Sequence, residues 1–172
     1  NPVLNNPVLN NPVVGSIRPR VRPGDPSPTA QLSAGAVDDY RAVAASLDPR
    51  LEVLVSLLVS DGLKLGEVLA LDIDQISGKA PKTTITIRRR GEAKRIILHP
   101  DTARAIRRCI GSRREGPVLI SGRSTSGAPP RRLTRFGADH LIRQLSRGNG
   151  NRVTANELRR FHISTSHEQD DD

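Results

Sequence analysis

Residues 50–60, RLEVLVSLLVS, are apolar almost all round a helix. A helix with no polar face suits a buried, central position with other elements packed about it. Those elements must supply aliphatic partners, because the 172 residues include one Tyr, two Phe and no Trp. The core is therefore expected to be Leu, Ile, Val and Ala, which can still fold at the length of one ordinary domain.

The flanking pattern places further elements. Residues 1–15 read NPVLN, NPVLN, NPVVG, a period too short for stacking repeats and interrupted by Pro too often for a helix. With the Pro-rich basic stretch that follows, residues 1–30 are expected to form a flexible leader, 31–169 the folded domain and 170–172 an acidic tail. Ser33 is a plausible N-cap for a helix carrying Ala36, Val37, Tyr40, Val43, Ala44 and Leu47 on one stripe. After the central helix, Gly62 can close it in the left-handed conformation, and a short helix runs from Lys64 to Leu71.

The period then changes to two. Ile85 and Ile87 alternate with Thr84, Thr86 and Arg88, which predicts a β-hairpin over about 83–99 with GEA (91–93) as the turn and a very basic tip. Pro100 and Asp101 start a helix through Ala103, Ile106, Cys109 and Ile110. GPVLIS (116–121) is a short apolar piece and GRSTSGAPPRR (122–132) a loop. Thr134 opens another helix, read with Phe136, His140, Leu141 and Leu145 on one side. Thr154 and Glu157 form a capping box for the last helix. The expected class is α+β, mainly α, with a small antiparallel sheet.

Charge narrows the function. The formal net charge is +9, and it is uneven: residues 1–80 carry 7 basic and 9 acidic side chains, residues 81–172 carry 20 and 9. Such asymmetry points to a polyanion, nucleic acid first, with a merely solvated basic face as the alternative. The single Cys109 excludes an internal disulfide and fits a reducing cytoplasm, and its spacing from Ile106 and Ile110 places it on a buried helix face. No apolar run approaches the length of a membrane span, and no signal peptide is visible. With no Met in the sequence, the chain is expected to be a fragment or a partial reading frame.

Phosphate-loop and zinc-type motifs are missing, and His99, His140, His162 and His167 are not spaced as ligands, so no metal, cofactor or small-molecule substrate is expected. SGRSTSG has the composition of a phosphate loop without its strand–helix setting. What remains is a set of cations at special places. Lys64 follows a turn at a helix start, Arg90 sits at the hairpin tip, and Arg159 lies three residues after Asn156 in a capped helix, where both can face one point.

In this order the pieces resemble the catalytic domain of the tyrosine recombinases, the phage-integrase family. DGLKLGEVLAL (61–71) is similar to the family's T-G-L-R-x-x-E-L-x-x-L. RRGEAKRIILH (89–99) is similar to its G-K-G-x-x-x-R hairpin, and VLISGRSTSGAPPRRLTRFGADHLIRQL (118–145) to its L-F-x-S, loop and capped helix. TANELRR (154–160) is similar to T-x-H-x-L-R-[RH]. The resemblance covers about residues 31–167. It implies that Lys64 stands where the family has its first catalytic Arg, Arg90 where it has the hairpin Lys, Asn156 where it has a His, and Arg159 where it has the second Arg. Glu67 matches a Glu that often accompanies the first Arg. The nucleophilic Tyr and the later His or Trp would fall beyond residue 172, and Tyr40 matches neither.

The implied function is DNA binding, inherited from integration or site-specific recombination, by a domain unable to cleave as written. Lys64, Arg88, Arg89, Arg90, Lys94, Arg131, Arg132, Arg135, Arg159 and Arg160 are the expected DNA contacts. The implied partner is double-stranded DNA, with a homo-oligomer on DNA as a further possibility, in the cytoplasm. Lys in place of Arg at position 64 keeps a charge but loses the bidentate fork, and one lost charge-assisted bond of about 1.5–3 kcal/mol slows a step roughly ten- to a hundredfold. Arg90 stays protonated and makes a poor acid, and Asn156 cannot shuttle protons. Two alternatives stand: a piece of an active recombinase whose Tyr lies outside this chain, and a degenerate domain that binds a protein. Lacking the family's last helices, the helix from 155 is expected to be poorly buried on one side and frayed after about residue 164.

Overall fold

The computed structural model describes residues 33–122 and 127–167, with side chains up to residue 162 in the last helix. The Asn-Pro-Val leader, the middle of the SGRSTSG loop and the acidic tail lie outside the described residues.

Helix α1 (Ala34–Leu47) is capped by Ser33, whose hydroxyl accepts the Ala36 N–H at 3.2 Å. It buries Val37, Tyr40 and Ala44. Leu47, expected on that stripe, is instead half exposed at the C-terminal end. Helix α2 (Pro49–Val59) follows at once: Asp48 caps it by accepting the Arg50 N–H at 2.8 Å, and Pro49 occupies the first turn, where no N–H is needed. Every residue from Leu51 to Val59 except Glu52 is buried. α2 is the central helix that its composition demands, packed by α1, α4 and α6 and touched by α3 and α5. Each fully buried Leu there contributes about 1.5–3 kcal/mol relative to exposure.

Helix α3 (Leu65–Ala70) leads to a three-stranded antiparallel sheet in the order β1 (Ile76–Ser77), β2 (Thr84–Arg89), β3 (Glu92–Ile97). Two-residue β1 escapes a period-two reading because it is too short to alternate. β2 turns Ile85 and Ile87 into the core, as expected. The turn is not GEA. Arg89 pairs with Glu92, so Arg90 and Gly91 alone make the connection, and both have positive φ, 53° and 84°. That is the pattern of a two-residue type I′ turn, whose twist matches the strands.

Helix α4 (Pro100–Ile110) buries Thr102, Ala103, Ala105 and Ile106, with Cys109 and Ile110 partly covered. Residues 116–121 run beside α3's exit and beside 131–133, joined by bonds such as Val118 N–H to Leu71 O at 3.0 Å. Helix α5 (Arg135–Gly148), capped by Thr134, faces the core with Ala138, Leu141, Ile142 and Leu145. Phe136 and His140 are not on that face; both are exposed, since the helical period puts 138 and 142 in line with 141 and 145. Helix α6 (Ala155–His167) carries the expected capping box: Thr154 N–H donates to Glu157 at 2.7 Å and Glu157 N–H to Thr154 Oγ1 at 3.3 Å. Leu158 is fully buried, and the backbone stays helical past residue 164.

Candidate functional site

α2 ends by turning sharply. Gly62 has φ 63°, and the Leu63 N–H returns to Leu57 O at 3.1 Å. This sets Lys64 at the start of α3, where a cation is unfavourable because the first N–H groups already present positive charge. Glu67 does the capping: its Oε2 accepts the Lys64 N–H at 2.8 Å. The same carboxylate receives the Arg89 guanidinium twice, Nε at 2.7 Å and Nη2 at 3.0 Å. Burial pushes the Glu67 carboxyl up, but the Arg89 fork, the Lys64 N–H and the two positive charges outweigh it, and the net result is a depressed pKa. Glu67 thus pins the hairpin to the start of α3.

Lys64, Gly66 and Glu67 form one wall of a cleft of about 450 Å³; Arg135 from the first turn of α5 and Asn156 and Arg159 from α6 complete it. Three of the four positions that the resemblance singles out, Lys64, Asn156 and Arg159, therefore line one cleft. Arg90 does not line the cleft; it stands exposed at the hairpin tip, one residue beyond the pinned Arg89. Arg135, expected only as a general contact, is brought in beside them. Among the described residues, Lys64, Arg135 and Arg159 have no salt bridge, although Arg159 Nε donates to Gly62 O at 3.3 Å. Unpaired cations gathered in one concavity raise the potential there and attract an anion.

The remaining expected contacts divide. Arg88, Lys94, Arg131 and Arg160 are exposed. Arg89 is held by Glu67, and Arg132 by Asp72 at 2.5 Å and Leu69 O at 2.8 Å, so both serve the fold first. A second cleft of about 550 Å³, between α1, α2 and α4, also collects arginines, among them Arg41, Arg104 and Arg108, but each has a carboxylate partner.

The other reactive groups have structural explanations. Tyr40 is buried, its hydroxyl donating to Asn151 O at 3.4 Å, and burial pushes its pKa up. Burial likewise raises the Cys109 thiol, against the nearby Arg113 charge. His99 caps α4, His140 bonds with Gln144, and His162 packs inward toward Val59 O. Among the described residues no group of three His, Cys, Asp or Glu could hold a metal, and no helix is long and apolar enough to cross a membrane.

No protein-family model matches the chain, and no curated protein matches it. Solved structures do. A crystal structure of XerA recombinase superposes with a TM-score of 0.66 at 21% sequence identity, covering 82% of this chain and 52% of that one. XerH site-specific recombinase bound to difH substrate, in a pre-cleavage complex, gives 0.65 at 16% identity over 83% of this chain and 44% of that one. Its post-cleavage complex on palindromic difH gives 0.64 at 16% over 87% and 44%. The chain has the fold of the tyrosine recombinase catalytic domain and spans about half the length of these proteins.

Proposed function

We propose that this recombinase-like domain binds duplex DNA, holding a backbone phosphate in the cleft of Lys64, Arg135, Asn156 and Arg159. The observation that carries the reading is the convergence of three cations without a salt bridge, on three different helices or their caps, in one concavity. A phosphate diester supplies the missing negative charge, and Arg guanidinium forks fit its oxygens. Arg88, Arg90 and Lys94 on the exposed hairpin extend the contact along the strand. The XerH complexes with difH substrate, whose fold this chain shares, support DNA as the ligand class. Copies of the domain assembling side by side on DNA in the cytoplasm belong to the same reading.

Cleavage is not part of the proposal for this chain. Its one Tyr is buried in the core, so no phenol here is placed to attack a phosphate. A second reading follows from the partial coverage of the XerA and XerH chains: the domain is one piece of an active recombinase, and a Tyr elsewhere completes the cleft. Duplex binding as a function of salt tests the first reading, which expects log K to fall steeply and linearly with log salt; an affinity indifferent to salt, or none at low salt, would overturn it. A covalent protein–DNA adduct formed by this chain alone on nicked substrate would refute the assignment of a non-cleaving domain.

A further inference from the structure

Asn156, Arg159 and His162 follow one another at three-residue steps on α6, which sets them along one stripe of the helix. The first two line the cleft; the last two touch the turn that delivers Lys64. Arg159 Nε reaches Gly62 O at 3.3 Å, long for an N–H···O bond and too weak by itself to fix a flexible side chain. His162 makes the firmer contact. Its Nδ1 lies 3.1 Å from Val59 O, and since a carbonyl only accepts, Nδ1 carries the proton in that bond.

The opposite edge of the ring rests on Gly62. A Cβ at Gly62 would lie 2.2 Å from His162 Cδ2 and 2.7 Å from Nε2, far inside van der Waals contact. Gly62 is thus required twice: for its positive φ and for the bare surface that admits the imidazole. The ring is clamped between the last carbonyl of α2 and the turn before α3.

We propose that His162 is a positioning residue of the cleft, its clamped ring setting the level of α6 against the 59–62 turn and so fixing where Arg159 presents its guanidinium. The inference rests on the phosphate reading given above. Nothing in the chemistry requires His162 to touch the ligand; it acts through Arg159.

The test is a double-mutant cycle read as duplex DNA affinity of the full chain. His162→Leu, which keeps bulk but removes the donor, is expected to weaken binding roughly tenfold. His162→Asn, whose amide N–H can stand where Nδ1 stands, restores most of it, whereas His162→Gln, whose amide extends toward the Nε2 position, does not. In an Arg159→Ala background, His162→Leu has no further effect. Equal losses in both backgrounds, or Asn performing no better than Gln, overturn the proposal. A readout without DNA separates the two readings: the ¹H–¹⁵N signal of Arg159 Nε should move in His162→Gln and return in His162→Asn. If the parent chain binds no duplex, the phosphate reading fails and that signal alone decides the positioning role; an Nε signal unmoved in both variants sinks it. The Asn–Gln contrast serves equally if His162→Leu does not fold.

Discussion

Arg41, Arg104, Arg107 and Arg108 reach the cleft between α1, α2 and α4, and there nearly every guanidinium is spoken for. Arg104 pairs with Asp101, Arg108 with Glu52 and Arg41 with Asp38, while Arg107 donates to Thr83 Oγ1 at 3.0 Å. The smaller cleft of α3, α5 and α6 has one carboxylate, Glu67, and it is already engaged by Arg89. Counting arginines would choose the first cleft. Counting cations outside any salt bridge among the described residues chooses the second. Exposed ion pairs contribute only about 0–1 kcal/mol each to stability, but they cancel the field that a polyanion would feel.

This contrast can be broken most directly at the cations themselves. Lys64→Ala with Arg159→Ala should weaken duplex binding by roughly a hundredfold or more at moderate salt and lower the salt slope by about 1–2. Arg104→Ala with Arg108→Ala should leave affinity within a few-fold. Equal losses from the two pairs, measured by fluorescence anisotropy across a salt series, would erase the distinction between the clefts.

Glu67→Gln comes next. It removes the pin between hairpin and α3, and chemical denaturation at pH 7 should show a loss of about 1–2 kcal/mol. Because the Glu67 pKa is lowered from its ordinary 4.5, its contribution is present above that value and is lost as pH falls through the depressed folded value. The variant should therefore lie below the parent at neutral pH and converge with it in acid.

Asp61 sharpens the comparison from the opposite side. Its Oδ1 accepts the His99 N–H at 2.8 Å, and its Oδ2, like the neighbouring Thr102 hydroxyl, is buried outside good hydrogen-bond geometry. Burial raises its pKa above the ordinary 3.8 and outweighs the pull of that N–H, of the Thr102 hydroxyl and of the nearby His99 and His162 rings, so its protonated form is favoured by folding and its contribution is lost as pH rises through the folded value. Asp61→Asn should raise stability at pH 7 by about 1 kcal/mol, read as a shift of the denaturation midpoint, with no gain below the ordinary carboxylate range. Arg90→Asn is the mildest. Asn tolerates the left-handed backbone that strains Arg90, so stability should rise by up to about 1 kcal/mol, while duplex binding weakens a few-fold through the lost charge.

Local pattern made much of the fold legible. The all-round apolar run located α2, the alternation at 84–88 located β2, and Thr154 with Glu157 located the start of α6. Where local signals compete, they misled. A Gly-Glu-Ala turn looked natural, yet a tight turn with the right twist needed Arg90 in the left-handed region. Phe136 and His140 have the spacing of a helical stripe, but the face bearing Ala138 and Ile142 packs better, and the aromatic ring stays in solvent. The site was half legible. Asn156 and Arg159 share a face by simple periodicity, and His162 continues the same three-residue arithmetic. The Glu67–Arg89 pin, the arrival of Arg135 and the seat of His162 on Gly62 join residues 22 or more apart along the chain, and no local period encodes them.

α3, α5 and α6, the helices that bear or follow the cleft's three cations, all pack on α2. The electrostatic work of crowding like charges is consequently done while the core condenses around α2, not when a ligand arrives. The backbone of the receptor is preorganised: an incoming phosphate meets three cationic side chains rooted around one cleft and relieves their mutual repulsion, with only the ordering of those side chains left to complete. Such a domain should melt at a higher temperature when a polyanion is present, the ligand returning to the core part of the stability that the vacant cleft takes from it.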